Sequence, residues 1–362
     1  MFITKRNARL LFVIVACAGA IAAASPRQNT AQTSPQTAPA VADNTIHLDV
    51  VVSQKNGAPI ADLQQQDFTL LDNKSPQRIT SFQAVTGRDA PITVTIVLDA
   101  VNDDYRTLTF SRMQIEKFLR AEGGRLAYPV GIVLFTDKGM QIIANFSGDG
   151  NALSAALDGQ DIGLRTITRS TGFYGAAERL GLSTNAMREL AGSLVSHPGR
   201  NIVLWASPGW PILSGPDVQL SSKEEEQIFI DVVNFSNLFR AARLTLNAIN
   251  PLGSSESIFR GTYYQEFLKG VSKPNQVVPG NLALQVLALQ SGGQVLDFNN
   301  DMSALLQKCI SDTAPYYEIT FAAQAAERPN EYHQIEVKLA KPGLTARTLE
   351  GYYAQPQHVA HQ

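Results

Sequence analysis

Cysteine is nearly absent, with two in 362 residues. Cys17 lies in an apolar run near the N-terminus, so a chain cleaved after that run keeps only Cys309. An exported chain with one cysteine has no internal disulfide, and its hydrophobic core must carry its stability. Cys309 sits in the apolar helical pattern MSALLQKCI and reads as a core residue. Charge is sparse at 17%, and basic side chains never exceed acidic ones: 30 Lys and Arg face 32 Asp and Glu. Residues 1–24 hold Lys5, Arg6 and Arg9 and no acid, so without them the balance is 27 to 32. Nucleic acid is excluded as a general partner, because neutralising phosphates needs a basic surface. After residue 24 no apolar run approaches the ~20 residues of a membrane-spanning helix. Chemical motifs are missing too. There is no Gly-x-Gly-x-x-Gly after a strand, no P-loop, no His-Glu-x-x-His, no cysteine pair for zinc and no Gly-x-Ser-x-Gly elbow.

The N-terminus reads as an export signal. MFITKRNAR is a positive segment, LLFVIVACAGAIAAA is apolar, and small residues offer cleavage near Ala24. A second reading stands beside it. Ile14-Val15-Ala16-Cys17 resembles a bacterial lipobox, which would make Cys17 a lipid-anchored first residue. Either way the mature protein is expected in the periplasm or outside the cell. Residues 25–44 are rich in Pro, Gln, Thr, Ala and Ser, a linker composition that cannot bury a core.

Residues 45–88 read as a small β-unit, with strands in IHLDVVVS, DFTLLDN and RITSFQAV. It is too small to be stable alone. The rhythm then changes over 89–314. Apolar strands (PITVTIVLD, YPVGIVLFT, NIVLWAS, LTLNAIN, QVLDF) alternate with helical patterns, which predicts a doubly wound, mostly parallel α/β sheet. The long helical pattern 172–197 is expected to break or kink at Gly181. FTDKGMQ is too short for a crossover helix, so it predicts one antiparallel hairpin strand. Residues 315–354 return to β-strands, followed by a tail over 355–362. The two β-segments flank the α/β region and are expected to pack together as one sandwich-like unit.

In a doubly wound sheet, ligands bind outside the carboxyl ends of the strands. There the first strand runs into an acidic loop, Asp99-Ala-Val-Asn-Asp-Asp104. Loops 206–220 and 250–280, and the segment 165–172, are expected at the same edge. Their aromatics, Trp210, Phe259, Tyr263, Tyr264 and Phe267, either anchor an interface or fold back over the insertions. Asp99, Asn102 and Asp103 also suit a capping role at the following helix. His197 reads as a helix-end cation, and Glu224–Glu226 as a solvated helix start.

The order of strands and helices with a single hairpin resembles the von Willebrand factor type A domain. IHLDVVVSQKNGAPIADLQQQDFTLLDNKSPQRITSF, LALQSGGQVLDF, APYYEITFAA, YHQIEVKLAKPG and RTLEGYY look like the flanking modules of the VWFA-related proteins of Acidobacteria. The resemblance runs over residues 45–354. It implies a metal-ion-dependent adhesion site holding Mg²⁺ or another divalent cation, built from an Asp-x-Ser-x-Ser motif, a distant Thr and a later Asp. By that likeness Asp99 takes the first acidic position. Val101 replaces the first Ser and Asp103 the second. Thr171 is the matching threonine, with Thr168 as rival. Ser207-Pro208-Gly209 stands where a Ser-Asp-Gly-like turn belongs, so the site is degenerate. The implied function is an exported, non-enzymatic adhesion module for a protein or cell-surface polymer. Its expected ligand-facing residues are Asp99, Asn102, Asp103, Thr171, Ser207 and Trp210. The alternative is an envelope-associated hydrolase using Asp99, Asp103 and Asp217 as its carboxylates.

Overall fold

The computed structural model describes residues 45–356 apart from 56, 88–89, 161–171, 214–218, 254–262 and 298. Expectations for the leader with Cys17, the linker, most of the tail, Phe259, Thr168, Thr171 and Asp217 therefore lie outside the described residues.

The central layer is a six-stranded sheet. Its strands are β5 (Ile92–Asp99), β6 (Arg125–Thr136), β7 (Gly139–Asp149), β8 (Arg200–Ala206), β9 (Leu244–Ile249) and β10 (Val295–Leu296), in the order β10-β9-β8-β5-β6-β7. All neighbours are parallel except β6 and β7, which form the hairpin that FTDKGMQ requires. β8 and β9 are buried at every position because helices cover both faces, which is why these strands read as continuous apolar runs. One face packs on α1 (Tyr105–Arg120), α2 (Gly150–Asp158) and α6 (Met302–Ser311), through Ile115, Leu119, Leu157 and Leu306. The other packs on α3 (Gly172–Leu194), α4 (Ser222–Ala241) and α5 (Leu284–Gln290), through Met187, Phe235 and Leu284.

Two sequence expectations are corrected. α3 runs unbroken through Gly181, whose exposed position leaves open space around a would-be Cβ. One exposed helical glycine costs only about 1 kcal/mol, less than a kink would lose in packing. The last parallel strand shrinks to Val295–Leu296 at the sheet's edge.

Both chain ends meet in two four-stranded antiparallel sheets. β1 (Thr45–Gln54), β4 (Ile79–Val85), β11 (Tyr316–Ala322) and β13 (Leu344–Arg347) form one, in the order β13-β1-β11-β4. β2 (Phe68–Asp72), β3 (Ser75–Gln77), β12 (Glu331–Leu339) and β14 (Gly351–Ala354) form the other, in the order β14-β12-β2-β3. RTLEGYY, read as one strand, is split between them. Ile46, Leu48, Val50 and Val52 point from one sheet into a core shared with Phe68, Leu70, Ile335 and Tyr352 of the other. Three polar groups are buried there together. Asp72 accepts the Tyr352 hydroxyl at 2.6 Å and lies 2.8 Å from His333 Nδ1. The described residues of 45–356 form one compact unit.

Two arginines tie the β-layers to the amino ends of the parallel strands. Arg200, buried at the start of β8, donates to Thr313 O at 2.6 Å and stacks 5.0 Å over the Tyr316 ring. Arg243 follows α4 in a left-handed conformation (φ 45°) and donates to Asp49 of β1 and to Glu318 of β11. β1 and β11 thus lie at the amino ends of these strands, while Tyr353 of β14 donates to Val271 O, in the segment after β9, at 2.9 Å.

Candidate functional site at the carboxyl edge

β5 ends in Asp99, a wholly buried carboxylate. The chain turns sharply after it, and the side chain organises the turn. Asp99 Oδ1 accepts from the backbone N–H of Val101 at 2.9 Å and of Asn102 at 2.8 Å. Asp99 Oδ2 accepts from Asn102 Nδ2 at 2.8 Å and from the Trp205 indole at 3.0 Å. The Ser207 hydroxyl is hydrogen-bonded to it as well. An ionised carboxylate offers about four acceptor positions, and the four N–H donors with the Ser207 hydroxyl leave none open. Burial pushes the carboxyl above its ordinary range, and the bonds from Asn102 and Trp205 only partly oppose this.

The neighbours are placed by the same turn. Val101 points inward and is fully buried in the core shared with α3 and β8. Asn102 passes the link onward, donating to Ser183 Oγ of α3 at 2.9 Å. Asp103 is buried, with its N–H on Asp99 O at 3.3 Å. The helix cap is Asp104 rather than Asp103: Asp104 Oδ1 accepts from Thr107 N at 2.7 Å, and that bond holds its carboxyl below the usual range. After β8, Ser207 Oγ accepts from Gly209 N at 3.2 Å. Trp210 is not presented to a ligand. It is 4% exposed and packs edge-on against Trp205 with ring centroids 5.4 Å apart. Tyr264 is also buried, so these aromatics fold back over the insertions.

The cation implied by the resemblance does not fit these residues. A hard cation needs oxygens with open lone pairs. The acceptors of Asp99 are filled, Val101 supplies a methyl surface, and Pro208 and Gly209 supply no carboxylate after Ser207. Among the described residues no three His, Cys, Asp or Glu side chains are grouped to hold a metal ion.

Sequence reasoning missed two features. One is Trp205, read only as a strand residue, which closes Asp99 from 106 positions away. The other is the start of α3. The Asn102–Ser183 bond sets Ser183 level with the loop after β5, and α3 descends from there to the start of β8. At 1.5 Å per residue, the helix begins about 16 Å of axis before Ser183. Its first turn carries Phe173, 53% exposed, and Tyr174, 82% exposed, with edge-on rings 6.0 Å apart.

No protein-family model matches this chain, and no curated protein matches it. Among solved structures, it is similar to the VWA domain of SpRpn10 at 9% identity, over 64% of this chain and 98% of that one, with a TM-score of 0.31. It is also similar to the pilus adhesin SpaC from Lactobacillus rhamnosus GG at 8% identity, with a TM-score of 0.35. That match covers 85% of this chain and 48% of the adhesin. Likeness at these values carries no inference about function.

Proposed function

We propose that this chain is an exported, non-enzymatic recognition module of the von Willebrand factor type A kind. It binds a protein or cell-surface polymer at the carboxyl edge of its parallel sheet. The observation that carries this reading is the exposed Phe173–Tyr174 pair in the first turn of α3. Exposed aromatics are costly to leave in water, and such side chains anchor interfaces. The metal-ion-dependent site of the type A kind is degenerate in this reading. Hydrolysis is not favoured, because Asp99 is committed to hydrogen bonds and no base accompanies it among the described residues.

A photoreactive side chain placed at Tyr174 tests the reading against one placed at Lys341, in the β-layers. Surface proteins and polysaccharides extracted from the producing cells serve as the probe. Crosslinks at position 174 and none at 341 are expected, with capture lost in Phe173→Ala/Tyr174→Ala. Equal crosslinking at both positions, or capture unchanged in the double variant, would overturn it.

A further inference from the structure

We infer that the Trp205 indole and the Asn102 amide occupy the lone pairs of Asp99 that a cation would need, so that the carboxyl edge is closed from within and works without divalent metal. That this edge serves recognition rests on the proposed function; the closure itself is independent of any ligand.

Geometry carries the closure. A Mg²⁺ or Mn²⁺ ion must reach a carboxylate oxygen at about 2.0–2.1 Å. At Asp99 Oδ2 that approach is held by the Asn102 amide at 2.8 Å and the indole N–H at 3.0 Å. The indole cannot step aside cheaply. Trp205 is fully buried, edge-on to Phe135 at 5.8 Å and to Trp210 at 5.4 Å. Opening Oδ1 instead would strip the N–H groups of Val101 and Asn102 and unmake the turn itself. An entering cation would therefore disrupt either the core or the loop. Val101 completes the exclusion, since its side chain fills core space where a hydroxyl ligand would project.

The closure has a positive consequence. In a metal-dependent site the ion joins the loops after two strands and then accepts a carboxylate from the partner. Here the Asp99–Trp205 bond joins the carboxyl ends of β5 and β8 as part of the fold, and Trp210 extends the link into residues 207–213. The recognition edge is set by folding, and a partner has no need of an acidic side chain.

Manganese titration of residues 25–362 tests this. Free Mn²⁺ is counted by electron paramagnetic resonance, and tryptophan fluorescence is read in parallel. Both tryptophans of the chain lie at this edge, so their emission reports on it alone. The wild type is expected to show no saturable Mn²⁺ binding into the millimolar range. Trp205→Phe/Val101→Ser removes the indole donor and restores a hydroxyl. It is expected to gain saturable binding that a further Asp99→Asn abolishes. Saturable binding by the wild type that Asp99→Asn abolishes would overturn the inference. So would a folded double variant that gains nothing. If the double variant fails to fold, the wild-type arm with Asp99→Asn still decides. Loss of partner capture with these metal results unchanged would refute the proposed function and leave the closure standing.

Discussion

Replacing Asp99 by alanine should be among the most damaging single changes in this molecule that leave no large void. The substitution orphans four donors at once: two backbone N–H groups, the Asn102 amide and the Trp205 indole. Each buried donor left unsatisfied costs about 1–3 kcal/mol. Two effects reduce the sum. A water entering the vacated space recaptures one or two donors, and removing a buried charge returns part of its desolvation cost. The net expectation is a loss of about 3–5 kcal/mol, a large share of the ~5–15 kcal/mol typical of a folded domain. Asp99→Asn keeps the shape but turns an amide donor toward Asn102 Nδ2 and Trp205 Nε1, and should lose about 2–3 kcal/mol by the same unsatisfied-donor arithmetic. Urea unfolding followed by tryptophan fluorescence measures both. A loss below about 1 kcal/mol for Asp99→Ala would mean that the carboxylate does not organise this edge, since surface-like substitutions stay within about 0.5 kcal/mol.

The pH dependence of the same site has a definite sign. Burial raises the Asp99 pKa on folding, so the native state binds this proton more tightly than the unfolded chain. Stability from this group therefore rises on acidification from its folded pKa toward the ordinary value of 3.8, and wild type should gain on Asp99→Asn in that window. Asp104 has the opposite sign: its pKa is lowered by Thr107, and its contribution fades as pH falls below 3.8. In the β-layers, Asp72→Ala should cost about 2–4 kcal/mol in the same urea assay, because the Tyr352 hydroxyl and His333 lose their shared buried partner. Arg243→Gly should be less destabilising than Arg243→Ala by about 1 kcal/mol, since only glycine takes φ 45° without strain while both lose the links to Asp49 and Glu318. Burial pushes the Cys309 thiol up to about 12, so a thiol reagent at pH 8 should label it only after unfolding.

The parallel layer was legible because strands covered on both faces must be apolar throughout, and VTIVL, VGIVLF and IVLW announce that burial directly. The hairpin was legible because FTDKGMQ leaves no length for a crossover. The meeting of the two β-segments followed from their inability to stand alone. What stayed hidden depended on contacts distant in sequence. Trp205 reads as one more buried strand residue, and only the register of β5 against β8, which pairs Val97 with Trp205, brings its indole beside Asp99. Trp210 could be read either as an interface anchor or as a side chain folded back, because a loop aromatic carries no mark of which way it turns. Phe173 and Tyr174 looked like ordinary helix residues, since a helical pattern does not show which face its tertiary neighbours leave exposed. Gly181 misled because a helical glycine is a small cost that tertiary packing overrides.

The closure of Asp99 can be read most directly from the two indole N–H signals of ¹⁵N-labelled residues 25–362. The Trp205 signal should be strongly shifted, exchange slowly with solvent, and move in Asp99→Asn, while micromolar Mn²⁺ leaves it sharp. A Trp205 signal at an ordinary position, indifferent to Asp99→Asn and broadened away by Mn²⁺, would mean that the carboxylate is open and that a cation, not the indole, completes this edge.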